Sequence, residues 1–418
     1  MKNILSTLEE RGFIESKTGD EINQIVDKPL AVYVGFDPTS DSLHLGNLVG
    51  IMGLAWFQRF GHTPIAIVGG ATGMIGDPSG KSVERNMLDP TTLKYNLQGI
   101  HRSIKAVLKT DVLILDNYDW FEGIGFIDFL RDIGKHFRLS TMLAKDSVKT
   151  RYSSEEGMSF TEFSYQLLQA YDFLHLFDTH KVILQMGGSD QWGNITAGTE
   201  LVRKIRGVTV HGLTFPLLTR SDGKKFGKSE EGAIWLNPDK LPPYDFYQYL
   251  YRVSDVDVPK LLRMLTFLEL EEIKTIEAQM RSNEYIPNSA QKRLAEEVTR
   301  IVHGEKGVED ALRITEAAKP GSHTSLDRTT MLELASELPC VILPRAEVIG
   351  MKLVDVLAQS KILTSKSEAR RMIVGGGVYI NNAKINDADL RLESCHLIDG
   401  EFLLLGVGKK RKIVIHVK

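Results

Sequence analysis

Cysteine is nearly absent from this chain: only Cys340 and Cys395 occur in 418 residues. Their separation gives no Cys-x-x-Cys spacing for zinc and no dense disulfide framework, which sets aside the small disulfide-stapled and zinc-ribbon classes. A reducing cytoplasm is the expected setting. Also missing is any run of the roughly 18 apolar residues that a membrane span needs. The first residues, with Glu9, Glu10 and Arg11 soon after Met1, lack an apolar signal core. Neither membrane insertion nor secretion is expected. Charge of one sign is not in excess either, since 51 Lys+Arg against 54 Asp+Glu leave a formal net charge of -3. A near-neutral total neither requires nor excludes a nucleic-acid partner, because a local basic face can hide inside it.

What is present is length and alternation. At 418 residues the chain exceeds one ordinary core, and two or three domains are expected. From 30 to about 220, short apolar β-rich runs alternate with longer helical stretches. The runs are Ala31 to Phe36, Pro64 to Gly70, Val112 to Asp116 and Lys181 to Gly187, and a helix such as Leu45 to Phe60 follows at βαβ spacing. This predicts an α/β domain with a Rossmann-like parallel sheet. Ligands of such sheets lie beyond the carboxyl ends of the strands, where the polar clusters Gly35 to Asp41, Gly69 to Lys81 and Gly187 to Gln191 fall.

Beyond Pro242 the pattern turns helical, with apolar residues three and four apart in Tyr244 to Tyr251, Pro259 to Leu268 and Ala290 to Val302. The stretch from 320 to 325 reads as a linker. A tail from 351 to 418 then carries 12 Lys+Arg against 7 Asp+Glu, while the preceding residues carry 39 against 47. Its pattern is a helix from Leu353 to Gln359, a basic helix opened by Ser365 or Ser367 and holding Arg370 and Arg371, and a hairpin from Val378 to Ile385 turning at Asn381-Asn382 and carrying Lys384. Such a small α+β module suits RNA-backbone binding, against the alternative of a solvated basic face. The expected division is a catalytic domain over 1–225, an α-helical domain over 226–320, a linker over 321–350 and a basic RNA-binding domain over 351–418.

Two phosphate motifs fail on spacing. Gly80-Lys81-Ser82 resembles the end of a Walker A loop, but Ile75 stands where the first glycine is needed. Gly69-Gly70-Ala71-Thr72-Gly73 lacks the Gly-x-Gly-x-x-Gly of dinucleotide binding. A stronger pattern is Gly35-Phe36-Asp37-Pro38-Thr39 followed by His44-Leu45-Gly46-Asn47, between a strand and a long helix. A helix N-terminus there offers free N–H groups and a positive dipole end to phosphate. About 180 residues later comes Lys225-Phe226-Gly227-Lys228-Ser229, a loop with two lysines able to meet charge developing on a leaving pyrophosphate. Each alone is weak, and their combination points to ATP chemistry. Separately, Tyr165, Gln169 and Asp172 are spaced four and three apart and so share one helix face.

His44-Leu45-Gly46-Asn47 with Lys225 to Ser229 resembles the two signatures of class I aminoacyl-tRNA synthetases, and bacterial tyrosyl-tRNA synthetases in particular. The resemblance runs across nearly the whole chain, through Tyr33 to Thr39, Gly69 to Lys81, Tyr165 to Asp172, Gln185 to Trp192 and the tail. It departs at Asn47, where the family's first signature usually ends in histidine. Asparagine can still donate a hydrogen bond to the nucleotide.

The resemblance implies that tyrosine, ATP and the tRNA for tyrosine are the substrates, with Mg²⁺ accompanying ATP, no tightly bound cofactor, and a homodimer formed through about 118–150. Tyr33 and Asp172 would hold the phenol, Tyr165, Gln169 and Asp77 the α-amino group, and Gln185 and Gln191 would lie nearer the carboxylate. ATP would lie along Gly35, Asp37, Thr39, His44, Gly46, Asn47, Asp190, Lys225, Gly227, Lys228 and Ser229. Thr39, His44, Lys225 and Lys228 would contact its outer phosphates and carry catalysis. Arg370, Arg371 and Lys384 would meet tRNA. The rival readings are a tryptophanyl-tRNA synthetase, a nucleotidylyltransferase, and a synthetase-derived RNA-binding protein without catalysis.

Overall fold

Apolar runs without polar alternation suit strands covered on both faces, and each of the four predicted runs is a strand in the computed structural model. The structure describes residues 3–79, 88–108, 112–153, 157–223, 226–229, 232–322, 324–408 and 411–418. Lys225 and the segment Gly80-Lys81-Ser82 therefore lie outside the described residues. Two compact units divide the chain: residues 1–241 with 248–303, and residues 242–247 with 304–418.

In the first unit the strands are β1 (Ser16–Lys17), β2 (Ala31–Phe36), β3 (Thr63–Val68), β4 (Leu113–Asp116), β5 (Val182–Gly188) and β6 (His211–Phe215). They form one sheet in the order β1-β6-β5-β2-β3-β4. All neighbours are parallel except β1, which runs antiparallel to β6. From β2 the chain moves outward through β3 to β4, then returns to the other side of β2 for β5 and β6. Strand order thus reverses between β2 and β5, and ligands of open α/β sheets lie outside the strand ends at such a point. The register sets Tyr33 of β2 opposite Gln185 of β5.

The helix Leu45–Arg59 buries eleven residues, from Leu45 to Phe57. Gly50 lets it approach β2 closely, since a Cβ there would stand 3.3 Å from Val34 Cγ1. The helix Phe160–His180 starts at Ser159, whose hydroxyl accepts from the Glu162 amide, and ends at Lys181 in the left-handed conformation. A two-stranded ribbon, β7 (Lys228–Ser229) with β8 (Gly232–Ala233), follows the sheet.

The helical stretch after 225 differs from the expected separate domain, because most of it to residue 303 belongs to the first unit. One cause is Arg11. Its guanidinium is buried, stacks over the Trp56 ring at 4.2 Å, and donates to the backbone oxygens of Arg263, Thr266 and Leu268. Three carbonyls near the end of the helix Val258–Leu265 are thereby tied to the N-terminal helix Ile4–Glu10.

In the second unit, β9 (Cys340–Leu343), β10 (Val378–Ile380), β11 (Ala383–Ile385), β12 (Phe402–Val407) and β13 (Arg411–Val417) form a sheet in the order β11-β10-β12-β13-β9. The predicted hairpin is β10–β11, and Asn381 and Asn382 both take positive φ, 46° and 67°. Ser365 is the residue that caps the basic helix Lys366–Val374. The expected linker over 321–350 is instead structured: it holds the helix Arg328–Glu337 and β9, which pairs in parallel with β13. Met331 and Leu334 of that helix are buried with Phe402, Leu404 and Val414. Gly304, at φ 75°, interrupts the helix Ser289–Ala317 where the second unit resumes.

Candidate active site

At the carboxyl ends of β2 and β5 lies a cavity of about 640 Å³. Fourteen of the predicted residues line it: Tyr33, Gly35, Asp37, Thr39, His44, Gly46, Asn47, Asp77, Tyr165, Gln169, Asp172, Gln185, Asp190 and Gln191. They come from β2, β5, the start of the helix Leu45–Arg59, the helix Phe160–His180 and the segments between. Lys225 falls outside the described residues, and the backbones of Lys228 and Ser229 form β7.

His44 is the N-cap of the helix Leu45–Arg59, in extended backbone at φ -114°. Its Nδ1 accepts from the Gly46 amide at 3.1 Å, and Asn47 Oδ1 accepts from the His44 amide at 3.1 Å. Two groups serve as acceptors for the helix start, so the neutral imidazole carries its proton on Nε2, and Asn47 keeps its Nδ2 donors. The second signature packs on this cap. Gly227 is at φ 86°, and a Cβ on it would stand 2.8 Å from the Gly46 nitrogen. Leu45 N donates to Ile234 O at 2.8 Å, and Ile234 N donates to Gly227 O at 2.9 Å.

Deeper in, Asp172 is 4% exposed. Its Oδ1 accepts from Trp120 Nε1 at 2.9 Å and its Oδ2 from Asn117 Nδ2 at 3.2 Å. Burial pushes its carboxyl up to about 8, against the two hydrogen bonds that favour the charged form. Tyr33 is 1% exposed and its hydroxyl has no hydrogen-bond partner among the described residues. Burial, and then the Asp172 charge, hold that phenol well above its ordinary range. Oε1 of Gln169 and Oε1 of Gln185 are likewise buried without partners. Buried polar atoms are normally satisfied, so several orphans around one cavity mark a wall shaped for a polar ligand.

The remaining carboxylates are engaged. Asp37 accepts from the Tyr165 hydroxyl at 2.9 Å and from Thr72 Oγ1 at 3.0 Å. Asp77 accepts from Gln191 Nε2 at 2.6 Å and from the Ser79 amide at 2.9 Å. Sequence reasoning missed Asn117, Trp120, Thr72 and Asn194. Asn117 is the most consequential, because its Nδ2 also reaches Thr72 Oγ1 at 3.0 Å while its Oδ1 accepts from Ala71 N at 2.8 Å. It follows β4 directly, and the strand-end rule that selected the other clusters applies to it equally.

Comparison with known proteins matches this architecture. Residues 26–318 fit the family model for tRNA synthetases class I (W and Y), and residues 331–415 fit that of the tyrosine–tRNA ligase SYY-like C-terminal domain. The chain is 57% identical to a tyrosine–tRNA ligase of Protochlamydia amoebophila, over 100% of this chain and 99% of that one. It is 50% identical to the chloroplastic/mitochondrial tyrosine–tRNA ligase of Arabidopsis thaliana, over 99% and 84%. A C-terminally truncated mitochondrial tyrosyl-tRNA synthetase from Aspergillus nidulans superposes with a TM-score of 0.67 at 31% identity, covering 74% of this chain and 92% of that one. By its sequence, its fold and the cavity between β2 and β5, the chain belongs to the class I tyrosine–tRNA ligases.

Proposed function

We propose that the cavity joins tyrosine to ATP as tyrosyl-adenylate, after which the tyrosyl group passes to the terminal adenosine of the tRNA for tyrosine. The observation that carries the substrate assignment is the pair Tyr33 and Asp172: a buried hydroxyl with no partner among the described residues and a buried carboxyl, on the wall of one cavity. A phenol can donate to the carboxylate and accept from the Tyr33 hydroxyl, whereas an indole N–H donates only. Tyrosine therefore fits better than tryptophan. When the hydroxyl is missing, the site's buried polar groups stay unpaired, and tyrosyl-tRNA synthetase is itself the standing example of that rule.

In this reading Tyr165, Gln169 and Asp77 hold the α-amino group, and Gln185 and Gln191 lie toward the carboxylate. That carboxylate attacks the α-phosphate, an O–P bond forms and pyrophosphate leaves. The nucleotide lies along Gly35, Asp37, Gly46, Asn47, Asp190, Gly227 and Ser229. Thr39, His44, Lys225 and Lys228 meet its outer phosphates, and Mg²⁺ enters with ATP as part of the substrate. Donors and cations of this kind act by positioning and by stabilising developing charge rather than by covalent attack. ATP–pyrophosphate exchange with each amino acid in turn tests the reaction and the substrate together. Tyrosine should support exchange, and exchange with tryptophan alone would overturn the assignment.

The second unit is the tRNA-binding part in this reading, with Arg370, Arg371 and Lys384 toward the RNA backbone. The homodimer is supported by apolar side chains left in water around the predicted segment, including Phe126, Ile127 and Phe160 at 67%, 69% and 71% exposure. Patches of that kind mark protein contacts, and a second copy is the simplest occupant. A cytoplasmic location is the accompanying expectation. Among the described residues no helix is long and apolar enough to cross a membrane.

A further inference from the structure

The indole of Trp120 is gripped twice by one helix. Its Nε1 donates to Asp172 Oδ1 at 2.9 Å, while its ring lies flat on the imidazole of His175, with centroids 4.4 Å apart and planes within 16°. Asp172 and His175 are three residues apart in the helix Phe160–His180, so both project from one face. Trp120 itself belongs to a four-residue helix, Tyr118–Phe121, which has no buried residue of its own. The ring is half-buried, packed against the cluster that holds Tyr33 and Phe173. The contact across its face is what the tertiary structure supplies.

We infer that His175 is a positioning residue for tyrosine recognition, stacking on Trp120 so that the indole N–H stays on Asp172. His175 does not line the cavity and touches no substrate; it acts through the indole. Burial already drives the Asp172 carboxyl toward its neutral form, and only the Asn117 and Trp120 side-chain hydrogen bonds oppose this. If the indole turns away, one of the two is lost. The carboxyl is then held by Asn117 alone and loses its fixed orientation toward the phenol, so tyrosine binding weakens while phosphate chemistry at His44 and Thr39 is unaffected. Burial also holds the His175 imidazole below its ordinary value. The ring therefore stacks as a neutral aromatic, and another flat aromatic side chain can replace it.

The inference rests on the reading of Asp172 as the phenol-binding carboxylate, and the experiment separates the two. Steady-state pyrophosphate exchange is measured for His175→Ala, His175→Phe, Trp120→Phe, the double variant His175→Ala/Trp120→Phe, and Asp172→Asn, each with its melting temperature. His175→Ala should raise KM for tyrosine about tenfold, the usual scale for disturbing a hydrogen bond to a buried polar group, with kcat near that of the parent. His175→Phe should restore KM. Trp120→Phe keeps a ring but loses the N–H, so it should raise KM by itself, and adding His175→Ala should then change little. An unchanged KM in His175→Ala, or the same factor with Trp120→Phe present, overturns the inference. If Asp172→Asn also leaves KM unchanged, the reading of Asp172 falls as well; if it raises KM while His175→Ala does not, only the role of His175 is lost.

Discussion

Gly227 and Gly46 meet backbone to backbone: a Cβ on Gly227 would stand 2.8 Å from the Gly46 nitrogen, and Gly227 takes φ 86°. Two sequence segments about 180 residues apart thus form one surface at the start of the helix Leu45–Arg59. Gly227→Ala adds both a left-handed alanine and a clash. Left-handed backbone alone costs an L-residue about 1–2 kcal/mol, or roughly tenfold in rate if the strain is relieved by moving the loop. Single-turnover adenylate formation should slow by at least about that factor, with tyrosine affinity, measured by equilibrium dialysis, retained. A normal rate would show that the two loops need not touch.

The Asp172 carboxyl makes stability depend on pH. Its folded-state value of about 8 stands above the ordinary 3.8, so the folded chain keeps a proton that the unfolded chain has released. The stability this provides is full below about pH 4 and is lost as pH rises through about 8. Asp172→Asn cannot ionise, so its melting temperature should gain on that of the parent between about pH 5 and pH 8.5. Its KM for tyrosine should rise at every pH, and a melting-temperature difference flat in pH would contradict the proposed state of the carboxyl.

Arg151 and Glu162 are each 2% exposed in their side chains, with Nε to Oε1 at 3.0 Å. Removing one partner of a buried pair strands the other charge at a cost of about 3–5 kcal/mol. Arg151→Met should therefore lower the denaturation free energy by about 3 kcal/mol or more. Breaking the exposed pair Arg131–Asp132, at 2.7 Å, should leave the denaturation free energy nearly unchanged, because water screens it. Urea unfolding of the two variants compares them directly.

Arg370, Arg371 and Lys384 are exposed on the helix Lys366–Val374 and on β11. Replacing all three by alanine should weaken tRNA charging and flatten its dependence on salt by about one unit of slope per lost phosphate contact. Pyrophosphate exchange, which needs no tRNA, should keep its rate. Equal loss in both assays would remove these residues from the RNA surface.

The parts of the site legible in the sequence were those whose signal is local. His44 precedes an apolar helix and caps it; Tyr165, Gln169 and Asp172 share one face of one helix; Asn381-Asn382 tolerates the positive φ of a tight hairpin turn. Strand β9 was illegible because it is an edge strand whose partner, β13, lies about 70 residues later. A four-residue run inside an expected linker has no local mark that another strand awaits it.

Composition and pattern by themselves determined four of the six strands of the first sheet, the helix start at His44 and the basic tail, because periodicity, capping and charge act within a few residues. Only the tertiary structure decided that Gly227 closes on Gly46, that the helix Arg328–Glu337 packs on the second sheet and β9 joins it, and that Asn117, Trp120 and, behind it, His175 converge on Asp172. Those relations depend on burial and on hydrogen bonds between residues far apart in sequence, and a buried carboxylate acquires its unusual proton affinity from neighbours that no local pattern names.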